Sequence, residues 1–386
     1  MTIAKSLLPF GTTIFTEMTQ LAVQHNAVNL SQGFPDFDGP NFVKQAAIQA
    51  INNGDNQYER LFGTKELTEA LANHWSTLTG QNLNSDRNIQ VTAGCTEAII
   101  AVTLGLLNPG DEVILFEPYY DSYRPAVAMA GALPRFVTLR APDFSFDIEE
   151  LINAISPGKT RLIFINTPHN PTGKVFSRTE LEQIAALCIK HDIIAVCDEV
   201  YEHLIFDGNQ HTRMATIPGM SDRTITLSSL GKTFSLTGWK IGWAIGPENL
   251  IKGVRAAHQF ITFAVATPLQ HAAAVAINGI HEYLPTFINE YTERRDYLCN
   301  ALENIGFSLT KPQGTYFILA DHTPFGFHDD IEFCKYLTTE IGVAAIPPTA
   351  FYENKQHGKN LVRFAFCKNM NTLREAVHRL HRLQPK

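Results

Sequence analysis

The feature that most constrains this chain is a rhythm of short apolar runs, each closed by a cluster of polar and small residues. Ile89-Gln90-Val91-Thr92, Val113 to Phe116, Leu162 to Ile165, Ile193 to Cys197 and Thr224 to Leu227 recur in this way. Continuous apolar runs of this length suit strands covered on both faces. Helical patterns lie between them. Ser177-Arg178-Thr179-Glu180 has the spacing of a capping box, and Leu181, Ile184, Ala185 and Cys188 follow at one-face helical intervals. Strand, helix and strand in alternation predict an α/β fold around a mostly parallel sheet. Past residue 280 the pattern changes. A charged amphipathic helix is expected over Glu290 to Leu302 and a strand at Gly314 to Phe317. Another helix follows near 329–341, then a strand from Leu361 to Phe366. That is a smaller α+β unit, joined by the N-terminal segment, so the expected division is 45–280 against 1–44 with 281–386.

Composition narrows the possible partners. A net charge of -7 without a basic run speaks against nucleic acid. No stretch approaches the roughly 20 apolar residues of a membrane span, and Met1 to Lys5 shows no secretory pattern. The six cysteines are scattered, with neither Cys-x-x-Cys nor zinc spacing. Reduced thiols, a cytoplasmic protein and no metal site are the resulting expectations.

Ligands of open α/β sheets collect beyond the carboxyl ends of the strands, so the residues following each run matter most. Ala93-Gly94-Cys95-Thr96 opens an apolar helix, and amides at such a start suit a phosphate, although an ordinary tight turn explains it equally well. Among Tyr119, Tyr120 and Tyr123, one ring can stack on a flat heterocycle, while packing is the commoner use. Asn166-Thr167-Pro168-His169-Asn170-Pro171 sets two amides in a stiff turn. Asp198 ends an apolar run, where a carboxylate demands a cationic or donor partner. Lys232 lies in what reads as a Ser/Gly/Thr loop, followed by Gly238-Trp239-Lys240. Singly, each is weak. Jointly, an anion-binding turn, an aromatic, an amide, a carboxylate and a lysine match a phosphorylated basic heterocycle that forms a Schiff base, and pyridoxal 5'-phosphate is such a group.

Here the sequence resembles the class I/II aminotransferases of pyridoxal-phosphate fold type I. The resemblance rests on Asn166 to Gly173, Asp198-Glu199-Val200-Tyr201, Ser229 to Lys232 with Gly238-Trp239-Lys240, and Leu361-Val362-Arg363-Phe364. Asn29 to Phe37, Asn56-Gln57-Tyr58 and Val343 to Pro347 are most similar to methionine aminotransferases and kynurenine aminotransferase/glutamine transaminase. The resemblance implies a seven-stranded central sheet and a homodimer with shared sites. It implies Lys232 as cofactor lysine and proton shuttle, Asp198 at the ring nitrogen, Asn170 and Tyr201 at the ring hydroxyl, and Tyr120 against the ring. The phosphate would fall to Cys95, Thr96, Ser229 and Lys240, with Tyr58 from a second subunit. Arg363 would clamp the substrate carboxylate, helped by Asn166 and Gly33, with Phe15 near the side chain.

Two positions depart from the family's commoner pattern. Lys240 stands where Arg is frequent and supplies charge without a planar fork; Cys95 replaces a smaller residue. The expected reaction is ping-pong transfer of an amino group from a neutral amino acid to a 2-oxo acid. Methionine is favoured, with glutamine, aromatic residues and kynurenine as further donors. Cysteine-conjugate β-elimination on the same scaffold is the alternative. The ranking of neutral donors above aspartate rests on the segments Gly11-Thr12-Thr13-Ile14-Phe15, Gly33-Phe34 and Phe260 to Thr267, which contain no Arg or Lys; methionine comes first by what the resemblance implies.

Overall fold

The computed structural model describes residues 3–11 and 13–385; Thr12 lies outside them. The central sheet has seven strands: β1 (Ile89–Thr92), β2 (Glu112–Glu117), β3 (Leu133–Thr138), β4 (Thr160–Asn166), β5 (Ile194–Asp198), β6 (Thr224–Ser229) and β7 (Gly242–Ile245). Their spatial order is β1-β7-β6-β5-β4-β2-β3. All pairings are parallel except those of β7, which runs antiparallel to both neighbours. Every residue of β1, β2, β6 and β7 is buried, which explains why apolar runs rather than alternation mark these strands.

Two strands escaped the periodicity. Leu133–Thr138 carries Pro134, which a sheet tolerates at an edge, and β3 is the edge strand. Gly242–Ile245 is only four residues long and begins at a glycine. A Cβ on Gly242 would come within 2.5 Å of the Gly94 carbonyl carbon, so glycine is what lets β7 pass against the turn after β1.

The helices seal the sheet as their sequences dictate. Ser177 and Glu180 form the full capping box of helix Arg178–His191, and Leu181, Ile184, Ala185 and Cys188 are its buried face. Each such aliphatic side chain contributes roughly 1.5–3 kcal/mol on burial.

Beyond the sheet, helix Ile280–Ile305 spans 26 residues with Pro285 inside it, starting ten residues before the expected Glu290. A second sheet joins β8 (Ser308–Leu309), β9 (Phe317–Asp321) and β10 (Leu361–Ala365) in antiparallel fashion. The strand expected at 314–317 starts only at Phe317, because Thr315 adopts a left-handed φ of 65° that breaks extended pairing. Val28–Asn29 pairs in parallel with Val343–Ala344, and Met18 and Leu30 share a core with Leu298, Val362 and Leu373. We propose from these contacts that the small unit is 1–44 with 281–386, set against 45–280. Tyr201, three residues past β5, belongs to that same second core. The carboxyl ends of the parallel strands therefore meet the small unit there.

Candidate active site

The site is assembled from successive strand ends. After β1 the chain turns at Gly94, whose φ of 76° is free of cost for glycine, and helix Gly94–Leu106 begins. The first-turn amides have no acceptor within the helix and carry its positive dipole end. Lys240 approaches this turn from the segment before β7, its Nζ 3.5 Å from Thr96 Oγ1. Lys240 itself holds a left-handed φ of 55°, which for a non-glycine residue costs roughly 1–3 kcal/mol. The backbone thus accepts strain where it directs a cation at a helix N-terminus.

β2 leads to Tyr120 and Tyr123, whose rings meet edge-on at 5.6 Å. Tyr123 is buried, stacks on Phe164 at 4.8 Å, and donates its hydroxyl proton to Asp198 Oδ2 at 2.7 Å. Asp198, the last residue of β5, also accepts a longer bond from the Val200 amide at 3.3 Å. Burial pushes its carboxyl pKa up, against the Tyr123 hydroxyl, the Val200 amide and Lys232. A cation presented to the remaining lone pairs would favour the ionised form.

The two amides divide their work. Asn166, the last residue of β4, donates to the Asp198 carbonyl at 2.9 Å and accepts the Asn170 N–H at 2.7 Å. It therefore braces β4 against β5 while remaining in the lining of the cleft. Asn170 is the amide that meets Arg363, its Oδ1 accepting from Nη1 at 3.3 Å, while Nη2 reaches the Ser31 carbonyl at 3.0 Å.

Lys232 lies not in a loop but in the one-turn helix Leu230–Thr233 at the end of β6. Its Nζ donates to Tyr316 Oη at 2.9 Å and lies 5.5 Å from the Tyr201 ring centroid. Burial lowers its pKa, opposed by Cys367 and Asp198, which favours the neutral amine that a nucleophile and base requires. Arg363 comes from β10, packed over the rings of Phe317, Phe15 and Phe351 at 4.2, 5.1 and 5.2 Å. Burial lowers its pKa to about 10, so it stays charged at neutral pH. Among the described residues no carboxylate lies within ion-pair distance of it. A buried guanidinium without an anion is costly unless a ligand supplies one.

These groups line one cleft in two halves. The first, about 260 Å³, contains Gly94, Cys95, Thr96, Asn166, Asp198, Ser229 and Lys240. The second, about 250 Å³, contains Phe15, Gln32, Asp121, Phe317 and Arg363. Lys232 lines both, as do Gly33, Phe34, Tyr120, Asn170 and Tyr201. The first half fits pyridoxal phosphate: a helix N-terminus with Thr96 and Lys240 for the phosphate, a buried carboxylate for a basic ring nitrogen, and a depressed lysine for the carbonyl carbon. The second half offers Arg363 to a carboxylate.

Of the residues given a role at the site, only Tyr58 is absent from the cleft of its own chain; of the segments expected near the substrate side chain, Phe15, Gly33 and Phe34 line it and Phe260 to Thr267 do not. Tyr58 is 83 % exposed and meets Phe263 edge-on at 5.3 Å. Cys95 lines the phosphate end, and burial, with Asp198 beside it, holds its thiol pKa well above the usual range, which favours the protonated thiol. Two tyrosines were overlooked. Tyr123 was grouped with Tyr120 as a stacking candidate, and only the fold shows its hydroxyl on Asp198. Tyr316 sat inside a presumed strand, and its sequence neighbours carry no signal for a bond to Lys232.

Residues 25–380 match the family described as Aminotransferase class I and II. The chain is 46% identical to an N-succinyldiaminopimelate aminotransferase of Mycobacterium tuberculosis, whose solved structure superposes with a TM-score of 0.96 and 99% and 100% coverage of the two chains. It is 41% identical to a methionine aminotransferase of Escherichia coli over 99% of this chain and 98% of the relative; a solved E. coli structure with that function superposes with a TM-score of 0.95, covering 99% and 100%. A kynurenine–oxoglutarate transaminase of Dictyostelium discoideum is 42% identical, over 99% and 96%.

Proposed function

The chain belongs to the class I and II aminotransferases, and on that premise we propose that its amino donor is a neutral amino acid, methionine first, and its acceptor a 2-oxo acid. The enzyme depends on pyridoxal phosphate. When bound, that cofactor supplies a protonated heterocycle able to accept the electron pair left by the departing α-proton. The protein's share is positioning and proton transfer. Lys232 would hold the cofactor and carry the α-proton. Asp198 would keep the ring nitrogen protonated, with Tyr123 fixing the carboxylate. Asn170 and Tyr201 would serve the ring hydroxyl, and Tyr120 the ring face. The amides of the Cys95 turn, Thr96, Ser229 and Lys240 would hold the phosphate. Arg363 would grip the substrate α-carboxylate, helped by Asn166 and Gly33, with Phe15 in the wall beside it. A cytoplasmic setting belongs to the same proposal, supported by six free cysteines.

The observation that carries the donor preference is the lining of the Arg363 half. Its cations are Lys232 and Arg363, both already committed, and the remaining wall is Phe15, Phe34, Phe317 and Gln32 with acidic Asp121. A second substrate carboxylate desolvated there would lack a partner, at a cost of several kcal/mol. A thioether or aromatic side chain suits such a wall. With one fixed oxo acid, kcat/KM for methionine should exceed that for aspartate by at least roughly 100-fold, about 2.7 kcal/mol of transition-state binding. Glutamine, phenylalanine and kynurenine should outrank aspartate by the same roughly 100-fold or more, with methionine first. Aspartate in the lead would overturn the reading.

A second reading draws on an adjoining groove of about 580 Å³ that shares Thr96 and Asp121 with the cleft and brings in Arg124 and Lys355. Arg124 already pairs with Glu353 at 2.9 Å, which weakens its claim on a ligand. The M. tuberculosis relative is named for N-succinyldiaminopimelate, a longer donor with distal carboxylates that would extend into such a groove. Adding that compound to the panel separates the readings: the neutral-donor proposal requires methionine to outrank it.

Tyr58 enters the proposal as a residue lent to a second copy. It stands exposed beside Phe263, itself exposed. If sites are shared, mixing Lys232→Ala with Tyr58→Ala chains restores activity through hybrid dimers that contain one intact site. No recovery after demonstrated subunit exchange, with both parent variants inactive, counts against sharing.

A further inference from the structure

Tyr316 is the protein group that Lys232 touches, at 2.9 Å from Nζ to Oη. Its own hydroxyl proton goes to the Gly33 carbonyl. The ring is fully buried, edge-on to Tyr201 at 5.0 Å and stacked 6.2 Å from Tyr291. A phenolic hydroxyl has one proton to give and lone pairs to accept with. Because the proton is spent on Gly33, only lone pairs face Lys232, and the amine must contribute an N–H to the bond. The amine's own lone pair is then left for the cleft. With the opposite polarity, the hydroxyl would donate into that lone pair and occupy the base.

We propose that Tyr316 is a positioning residue that, with the Gly33 carbonyl, sets the direction of hydrogen bonding at Lys232 so that the free amine presents its lone pair to the substrate α-carbon. The inference rests on Lys232 being the cofactor lysine, as proposed above. Gly33 is well placed to anchor the relay. It lines both halves of the cleft, and a Cβ there would lie 2.6 Å from Phe317 Cζ, so the carbonyl is presented by the one residue type that fits. The substrate wall and the base are thereby joined through one hydroxyl. The other titratable groups around Lys232 are Asp198, Cys95, Lys240, Cys367 and Tyr201, and among the described residues the hydrogen bond of its Nζ goes to Tyr316.

Tyr316→Phe keeps the ring and removes the acceptor. The holoenzyme variant should lose roughly tenfold or more in kcat, with KM for the donor little changed, and the kinetic isotope effect with α-deuterated donor should rise. A merely structural tyrosine would not raise that ratio, which is also independent of how much of the enzyme is folded. Stripped of cofactor, the full-length variant should capture added pyridoxal phosphate with a pH midpoint lower than the parent's. The sign follows because an ammonium that loses an acceptor loses stabilisation of its charged form. Tyr291→Phe is the control, since the Tyr291 hydroxyl bonds neither Lys232 nor the Gly33 carbonyl, and it should behave as the parent. Parental kcat, isotope effect and capture profile in Tyr316→Phe overturn the inference, and so do equal losses in Tyr291→Phe. A Lys232→Ala variant that retains protein-linked cofactor would instead overturn the reading on which it rests.

Discussion

Lys232→Ala should lose the colour of protein-linked pyridoxal phosphate and reduce transamination by roughly 10⁴-fold or more. Two losses coincide. A positioned acid–base group alone contributes up to about 10⁴-fold, and the same amine is the nucleophile that tethers the cofactor. The variant should nevertheless fold. Burial lowers the Lys232 pKa, so no ion pair among the described residues depends on a charged amine at this position. Lys232 also sits on a single turn of helix whose neighbours Leu230, Gly231 and Thr233 are all buried, so the turn stays anchored without it. Borohydride reduction of the parent enzyme followed by peptide mapping should find the cofactor on Lys232. A label on another lysine, or a colourless but fully active alanine variant, would refute the assignment.

The parts of the site legible in the sequence are those where local rules suffice. Val113 to Phe116 and Leu162 to Ile165 read as buried strands because apolar runs leave little else open, and the residues that end such strands gather by the geometry of a parallel sheet. Asp198 and Asn170 were visible for that reason, and the family resemblance added Arg363, which no local pattern distinguishes from a surface arginine. Less was visible where a role depends on a partner distant in sequence. Asn166 bonds the Asp198 backbone and the Asn170 N–H, and nothing in an Asn-Thr-Pro string foretells those two partners. Tyr316 meets Lys232 across 84 positions. β7 was missed because four residues opening on glycine give too short a pattern, and its true reason for glycine is a neighbour, Gly94, nearly 150 positions away. Periodicity reports what a segment buries; it does not report which atom it meets.

Asp198→Asn should leave a protein that binds pyridoxal phosphate and turns over by roughly 10²- to 10⁴-fold less. Most of the geometry survives the exchange: the Tyr123 hydroxyl and Val200 amide donate to different carboxylate oxygens, Oδ2 at 2.7 Å and Oδ1 at 3.3 Å, so an asparagine oxygen can keep the shorter Tyr123 bond while the longer Val200 bond is lost. What disappears is the charge. A neutral amide no longer stabilises a proton on the ring nitrogen, and a ring without that proton is a poor acceptor for the electron pair released at the α-carbon. Removing one partner of a buried charged pair costs about 3–5 kcal/mol, and each 1.36 kcal/mol is about tenfold in rate, which gives the range stated. The surroundings of Asp198 are consistent with this demand: burial works against its ionised form, while Tyr123, Val200 and Lys232 support it. The loss should appear in kcat and kcat/KM together, because the interaction matters most when charge develops, and KM for the donor should move little. Cofactor affinity, measured by equilibrium dialysis, separates this outcome from simple loss of the group. Near-parental turnover in an Asp198→Asn enzyme that is saturated with cofactor would remove Asp198 from the mechanism.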